Sequence, residues 1–160
     1  MTETQTGAGG AEAPQQQLAI RRIFVRDLSF ESPRAPDVFN EQCRPQVHLD
    51  INVGNKALEQ DHYEVRLKLT IKATSEGGET YFMIELEQCG IFMIRGLDQN
   101  TMAQVLNIYC PNVLFPYARE TIDGLALKGS FPPLQLNQIN FEAMFAQAVQ
   151  QQGAQAAAQD

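Results

Sequence analysis

The segment His62–Ala73, HYEVRLKLTIKA, decides the fold. Tyr63, Val65, Leu67, Leu69, Ile71 and Ala73 alternate with Glu64, Arg66, Lys68, Thr70 and Lys72. Side chains change face at every residue of a strand, so this strand has one apolar and one wet face. Upstream, QVHLDINV (46–53) alternates in the same way, with Val47, Leu49, Ile51 and Val53 on the apolar side. Downstream, TSEGGE (74–79) reads as a hairpin turn, because glycine accepts positive φ. TYFMIELEQCGIFMIRG (80–96) follows as another strand. Phe82, Ile84 and Leu86 continue the core face there, and Met83, Glu85 and Glu87 take the other. Gly90 is expected to mark a kink or bulge, and IFMI after it to be buried on both sides. One wet face per strand is the mark of an antiparallel sheet.

Before these strands, LAIRRIFVRDLSF (18–30) carries apolar residues on both parities. Ile20, Phe24, Leu28 and Phe30 fall on one, Ile23 and Val25 on the other, as in a bulged strand or one covered on both faces. In ESPRAPDVFNEQCRP (31–45), three prolines fix φ and remove N–H donors. The expected result is a long, semi-rigid connection with Val38 and Phe39 stranded in it.

The last third changes period. In LDQNTMAQVLNIY (97–109), Met102, Val105, Leu106 and Tyr109 recur at helical spacing behind an Asp98 or Asn100 cap. Pro111 suits the first turn of a new helix, which Pro116 should kink or delay and which should end near Gly129. SFPPLQLNQ (130–138) reads as an extended connector. NFEAMFAQAVQQQ (140–152) reads as a helix capped by Asn140, with Phe141, Met144, Phe145 and Ala148 in one stripe. Strands followed by helices give an α+β fold with a segregated sheet of four strands.

The chain has 160 residues and 44% hydrophobic content, enough for one self-sufficient core. Residues 1–17 are small, polar and Gln-rich, and are expected to be disordered and not a secretory signal. Residues 18–150 form the domain. Residues 151–160 are expected as a flexible Gln/Ala-rich tail in which Gly153 ends any helix. No apolar run approaches the roughly 18 residues of a membrane span, so no direct membrane insertion is expected. Cys43, Cys89 and Cys110 are odd in number and far apart, which fits free thiols in a reducing, cytoplasmic setting. The net charge of -7 argues against nucleic acid and suits docking onto a basic partner.

Catalytic signals are sparse. His48 and Asp50 share a strand face, but a solvated face explains them without a metal. Asp61 and His62 read as a loop charge pair. Cys110 before a helix start invites a reactive-thiol reading, yet no base lies near it in sequence and a buried thiol is the plainer account. Glu85 and Glu87 share a face and fit a docking surface better than an acid/base pair. A small cytosolic enzyme using Cys110 or Glu85/Glu87 is the alternative. The expectation is no enzyme, no cofactor and no metal. Nine phenylalanines and four tyrosines gather in the proline-rich connection, in VLFPYA and in the SFPPL…NFEAMF end. Some of them, on proline-held backbone, could line an exposed apolar groove for extended peptide.

DLSFESPRAPDVF (27–39), GIFMIRG (90–96), CPNVLFPYARE (110–120) and FPPLQLNQINFEAMF (131–145), in this order and spacing, resemble the SecB family. These bacterial export chaperones hold preproteins unfolded for the translocation motor SecA. The similarity runs from Ile20 to Val149. It implies a four-stranded antiparallel sheet with a long crossover between strands 1 and 2, from Glu31 to Pro45, followed by C-terminal helices. It also implies a homotetramer built as a dimer of dimers. The function implied is an ATP-independent holdase that binds unfolded preproteins and delivers them to SecA. Carried over by position, the SecA-docking residues are Asp27, Glu31, Met83 and Glu85. The client peptide groove takes Phe30, Phe39, Phe141 and Phe145. Ile84, Leu86 and Gln88 fall where the family packs its core and subunit contacts. Cys43 departs from a tryptophan of the family crossover, and the tail holds a single acid, Asp160.

Overall fold

The computed structural model describes residues 15–159. Of the segment expected to be disordered, residues 1–14 lie outside that range, as does Asp160. Four antiparallel strands form one sheet in the order β1-β4-β3-β2: β1 (Gln17–Glu31), β2 (Gln46–Ala57), β3 (His62–Thr74) and β4 (Thr80–Arg95). β1 and β2 therefore hold opposite edges, and residues 32–45 span the sheet between them. That segment contains a 3₁₀ turn at Asp37–Asn40 and is not loose. Val38, expected to be stranded, is 2% exposed and belongs to the core, whereas Phe39 is 49% exposed.

The alternation in β3 holds throughout: Val65, Leu67, Leu69, Ile71 and Ala73 are all fully buried. They face the same side as Phe82, Ile84 and Leu86 of β4, which are paired with Ala73, Ile71 and Leu69. The mixed parity of β1 has a simple cause. Register shifts fall between Ile20 and Arg22 and between Val25 and Asp27, so Arg21 and Arg26 are each an extra residue. Each bulge flips the parity. As a result Leu18, Ile20, Ile23, Val25, Leu28 and Phe30 all lie opposite core-side residues of β4. Gln88 Nε2 donates to the carbonyl of Phe24 just before the second bulge, at 3.1 Å. Its Oε1 is buried with no partner among the described residues.

Gly90 corrects the expectation of a bulge. It stays in register with both Val65 and Ile23. A Cβ there would lie 2.8 Å from Phe92 Cε2 and 3.0 Å from Leu114 Cδ2. The glycine lets the long helix approach the sheet. Gly90→Ala is expected to cost about 1–3 kcal/mol through overpacking, read as a lower denaturant midpoint at unchanged m-value.

The helical layer is continuous where two helices were expected. Asp98 caps α1 (Gln99–Gln104), accepting from the N–H of Thr101 at 2.8 Å. A π turn (Val105–Tyr109) then leads directly into α2 (Cys110–Lys128). The wider turn takes up the defect that Pro111, lacking an N–H, would leave in an α-helix. Pro116 sits inside α2 on its exposed side. Leu114, Phe115, Ala118, Ile122 and Ala126 form the face that α2 buries.

Gly129, the residue following α2, has φ -80°. It is not a left-handed cap. A Cβ there would lie 2.3 Å from Phe30 Cζ, so the ring of Phe30 claims its space. α3 (Phe141–Ala158) starts with Asn140 Oδ1 accepting from the N–H of Ala143 at 2.9 Å. It runs through Gly153 to Ala158. The alanines around the glycine favour helix enough to offset its cost of about 1 kcal/mol.

Candidate functional sites on two faces

The sheet has a helix side and an outer side, and each carries candidates. On the outer side the register builds three rows. Asp27, Glu87, Lys68 and Asn52 form one, Ser29, Glu85, Thr70 and Asp50 the next, and Glu31, Met83, Lys72 and His48 the third. Directly opposed residues of an antiparallel pair share a face. Asp27, Glu31, Met83 and Glu85, the set implied by the family resemblance, therefore form one patch on adjacent strands β1 and β4. The bulge at Arg26 brings Asp27 and Glu31 onto that face. Asp27, Glu31 and Glu85 are exposed, and Met83 and Glu87 half-buried. None of these carboxylates is within ion-pair reach of a cation among the described residues. Four unpaired acids around a methionine make a face suited to a cationic partner.

Further along the same face, Arg26 reaches across β4 to Glu64 at 2.7 Å. Cys89, between these strands, is fully buried. Burial first, then the charges of Glu64 and Glu87, pushes its thiol up to about 11. Asp61 does not pair with His62. Its carboxylate meets Arg95 Nε at 3.0 Å, while His62 Nδ1 lies 2.7 Å from the carbonyl of Gln60. No group of three or more potential metal ligands occurs among the described residues.

On the helix side the four phenylalanines assigned to the groove fall in two places. Phe30 stacks on Phe82 at 5.8 Å, and Phe39 tilts against Phe131 at 5.7 Å. Phe131 also meets Phe82 at 4.7 Å and Tyr81 at 6.4 Å. One aromatic cluster thus sits where the β1–β2 connection meets the α2–α3 connection. Its centre, Phe131, is a residue that sequence reasoning placed only in a connector. The β1–β2 connection is fixed there by Ser32 Oγ, which donates to the carbonyl of Tyr81 at 3.0 Å. It is fixed also by Arg34, which pairs with Glu41 and reaches Glu79 at 3.0 Å. Arg34 carried no sequence signal, since its partners are 7 and 45 positions away.

The second place is a cleft of about 380 Å³ between β2 and α3, lined by Ile51, Val53, Phe141, Met144 and Phe145 among others. Phe141 is 1% exposed and packs edge-on to Phe115 at 6.2 Å, so it is the floor of the cleft and part of the core. Phe145 is half-buried and forms the wall. Ile84, Leu86 and Gln88 are at most 2% exposed within the single chain, which makes them its own core.

Cys110 is fully buried, and burial pushes its thiol up to about 12. A thiol held protonated at neutral pH is no nucleophile. Both buried cysteines hold their protons in the folded chain to higher pH than the ordinary value of 9.0. Above that value the unfolded chain loses a proton that the folded chain keeps. Stability is therefore complete below pH 9 and falls as pH rises toward 11 and 12. Denaturant midpoints measured from pH 8 to pH 11 are expected to decline, and Cys89→Ala with Cys110→Ala to flatten the decline. In native protein, a thiol-labelling reagent should modify Cys43, which is half-buried, well before the other two.

Comparison with known proteins agrees with these features. Residues 11–152 match the family model described as SecB, preprotein translocase subunit. The protein-export protein SecB of Hahella chejuensis is 53% identical over 149 residues, covering 92% of this chain and 93% of that protein. The SecB of Marinobacter nauticus is 47% identical over 157 residues, covering 98% and 94%. Among solved structures, a SecB-like chaperone of Mycobacterium tuberculosis in complex with a ChAD peptide from the HigA1 antitoxin superposes with a TM-score of 0.63. It is 18% identical and covers 77% of this chain and 91% of that one, so it shares the fold. A four-stranded antiparallel sheet backed by C-terminal helices, a family match over most of the chain and close relatives of nearly equal length lead to one conclusion: the chain belongs to the SecB family of protein-export chaperones.

Proposed function

We propose that the chain is a cytoplasmic, ATP-independent holdase that keeps preproteins unfolded and hands them to the SecA motor. The observation that carries this reading is the open cleft between β2 and α3, where Ile51, Val53, Met144 and Phe145 stand beside the polar Asn52, Asn107 and Gln151, together with Phe39 standing out from the aromatic cluster. Both are surfaces for extended, apolar polypeptide. Burial there is worth about 25 cal/mol per Å², and several weak contacts on one long client add up through effective concentration. Release needs no nucleotide. The acidic patch of Asp27, Glu31, Met83 and Glu85 is the docking surface for SecA, on the face of the sheet opposite the cleft, so client and motor do not compete for one surface.

The working form is a dimer of dimers. β1 supports this, because it is an edge strand whose helix-side residues Leu18, Ile20, Val25 and Leu28 are 39–47% exposed. An apolar stripe beside an unpaired edge is a liability for a free subunit and an asset for a paired one. No specific observation favours an enzyme built on Cys110 or on Glu85 and Glu87. The test is native mass spectrometry with and without an unfolded preprotein. The expected species is four chains of 17.9 kDa, shifted by the client's mass when it is added. A monomer that carries no client overturns the reading.

A further inference from the structure

The position of α3 presents a physical question. It has 18 residues, yet only Phe141 is buried, with Met144 and Phe145 half-buried. So little packing does not by itself fix one wall of the cleft. The connector before it lacks regular structure. Gln135 adopts φ +49°, a conformation that side-chain-bearing residues rarely take. Something must hold this segment.

Asp123, in the C-terminal third of α2, does so. Its Oδ1 accepts the backbone N–H of Leu134 at 2.9 Å and that of Gln135 at 3.0 Å. Three helical turns earlier, Asn112 Oδ1 accepts from Gln138 Nε2 at 3.3 Å. The connector therefore runs back along α2, clipped at both ends. It delivers Asn140 and Phe141 beside Phe115, and half-buries Leu134, Leu136 and Ile139 on the way. Bonds to an ionised carboxylate are the stronger kind, so Asp123 is the dominant clip. Aspartate is a poor residue for a helix interior, which makes its place in α2 one that the helix itself does not explain.

We propose that Asp123 is a positioning residue for client binding: by clipping the connector to α2 it fixes α3 across the cleft from β2 and sets the width of the cleft. This rests on the reading of the cleft as a client site. The full chain, its Asp123→Ala variant and its Asp123→Asn variant are compared in two ways. In client-free protein, hydrogen exchange should quicken about tenfold in Asp123→Ala at Leu134, Gln135 and the first turns of α3, the scale set by losing bonds to a charged acceptor. β3 and β4 should keep their protection. Asp123→Asn retains an acceptor oxygen without the charge and should quicken exchange clearly less than Asp123→Ala. With reduced, carboxamidomethylated α-lactalbumin as an unfolded probe, release should quicken several-fold in Asp123→Ala and little in Asp123→Asn.

Unchanged exchange in α3 of Asp123→Ala overturns the proposal. So does equal loss in both variants, or protection lost across β3 and β4 as well, which marks a merely structural residue. If the wild type fails to retain the probe, the client reading fails, while the exchange data still decide whether Asp123 holds α3.

Discussion

Reversing Asp27 and Glu85 together to lysine is expected to weaken binding of SecA by about a hundredfold or more. On the proposed docking surface each substitution would set a positive charge against a partner's cation, where like-charge contact costs several kcal/mol, and each factor of ten corresponds to about 1.4 kcal/mol. Both side chains are exposed on the outer sheet face and make no ion pair among the described residues. The fold should therefore be untouched and the affinity for unfolded client unchanged. Wild-type docking should also weaken with salt, because exposed charges are screened over about 8–10 Å at physiological ionic strength. Titration calorimetry of wild type and the double variant against SecA checks this. Unchanged affinity would place the docking surface elsewhere. A parallel loss of client binding and of thermal midpoint would show that the two acids serve the fold.

Phe131→Ala is expected to carry the largest stability cost of any single change at the site, about 3–5 kcal/mol, typical of emptying a buried aromatic position. Phe131 is 3% exposed and touches three other rings, Phe39, Tyr81 and Phe82. Its removal deprives the β1–β2 connection of its aromatic support, while Val38 and Arg34 still hold the remainder. Urea unfolding measures the loss. Protease cleavage within residues 32–45 should appear in the variant before any cleavage in β3 or β4. A cost below about 1 kcal/mol would contradict the role given to the cluster, since surface changes fall in that range.

Much of this was legible in the sequence because it rests on local periodicity. The alternation of β2 and β3, the TSEGGE turn, the Asp98 and Asn140 caps and the shared parity of Met83 and Glu85 are set by neighbours a few positions apart. The two bulges of β1 were visible only as mixed parity. Their positions depend on pairing with β4, some seventy residues distant, as Arg22 opposite Ile91 shows. Gly90 was misread as a bulge, and Gly129, where α2 ends as expected, owes its place to more than that end, for a related reason. Conformation is the usual argument for glycine, but here Leu114 and Phe30, from other elements, take up the space. Pro111 does sit in the first turn of α2, but a local rule cannot show that a π turn will join α2 to α1 without a break. The stripe of Phe141, Met144 and Phe145 was visible, whereas the burial of Phe141 on Phe115, which makes it the floor of the cleft, is tertiary. Phe131, Arg34 and Asp123 gain their roles from contacts between segments that no periodicity links.

A holdase of this build distinguishes conformations, not sequences: apolar surface left open on the helix side takes polypeptide only when that polypeptide is unfolded. The most direct measurement uses one preprotein in two states, freshly diluted from denaturant and fully folded, each presented to the full-length chain while binding and release are followed. The unfolded form is expected to be captured tightly and released slowly, and the folded one not to bind measurably. Equal binding of the two forms would contradict this.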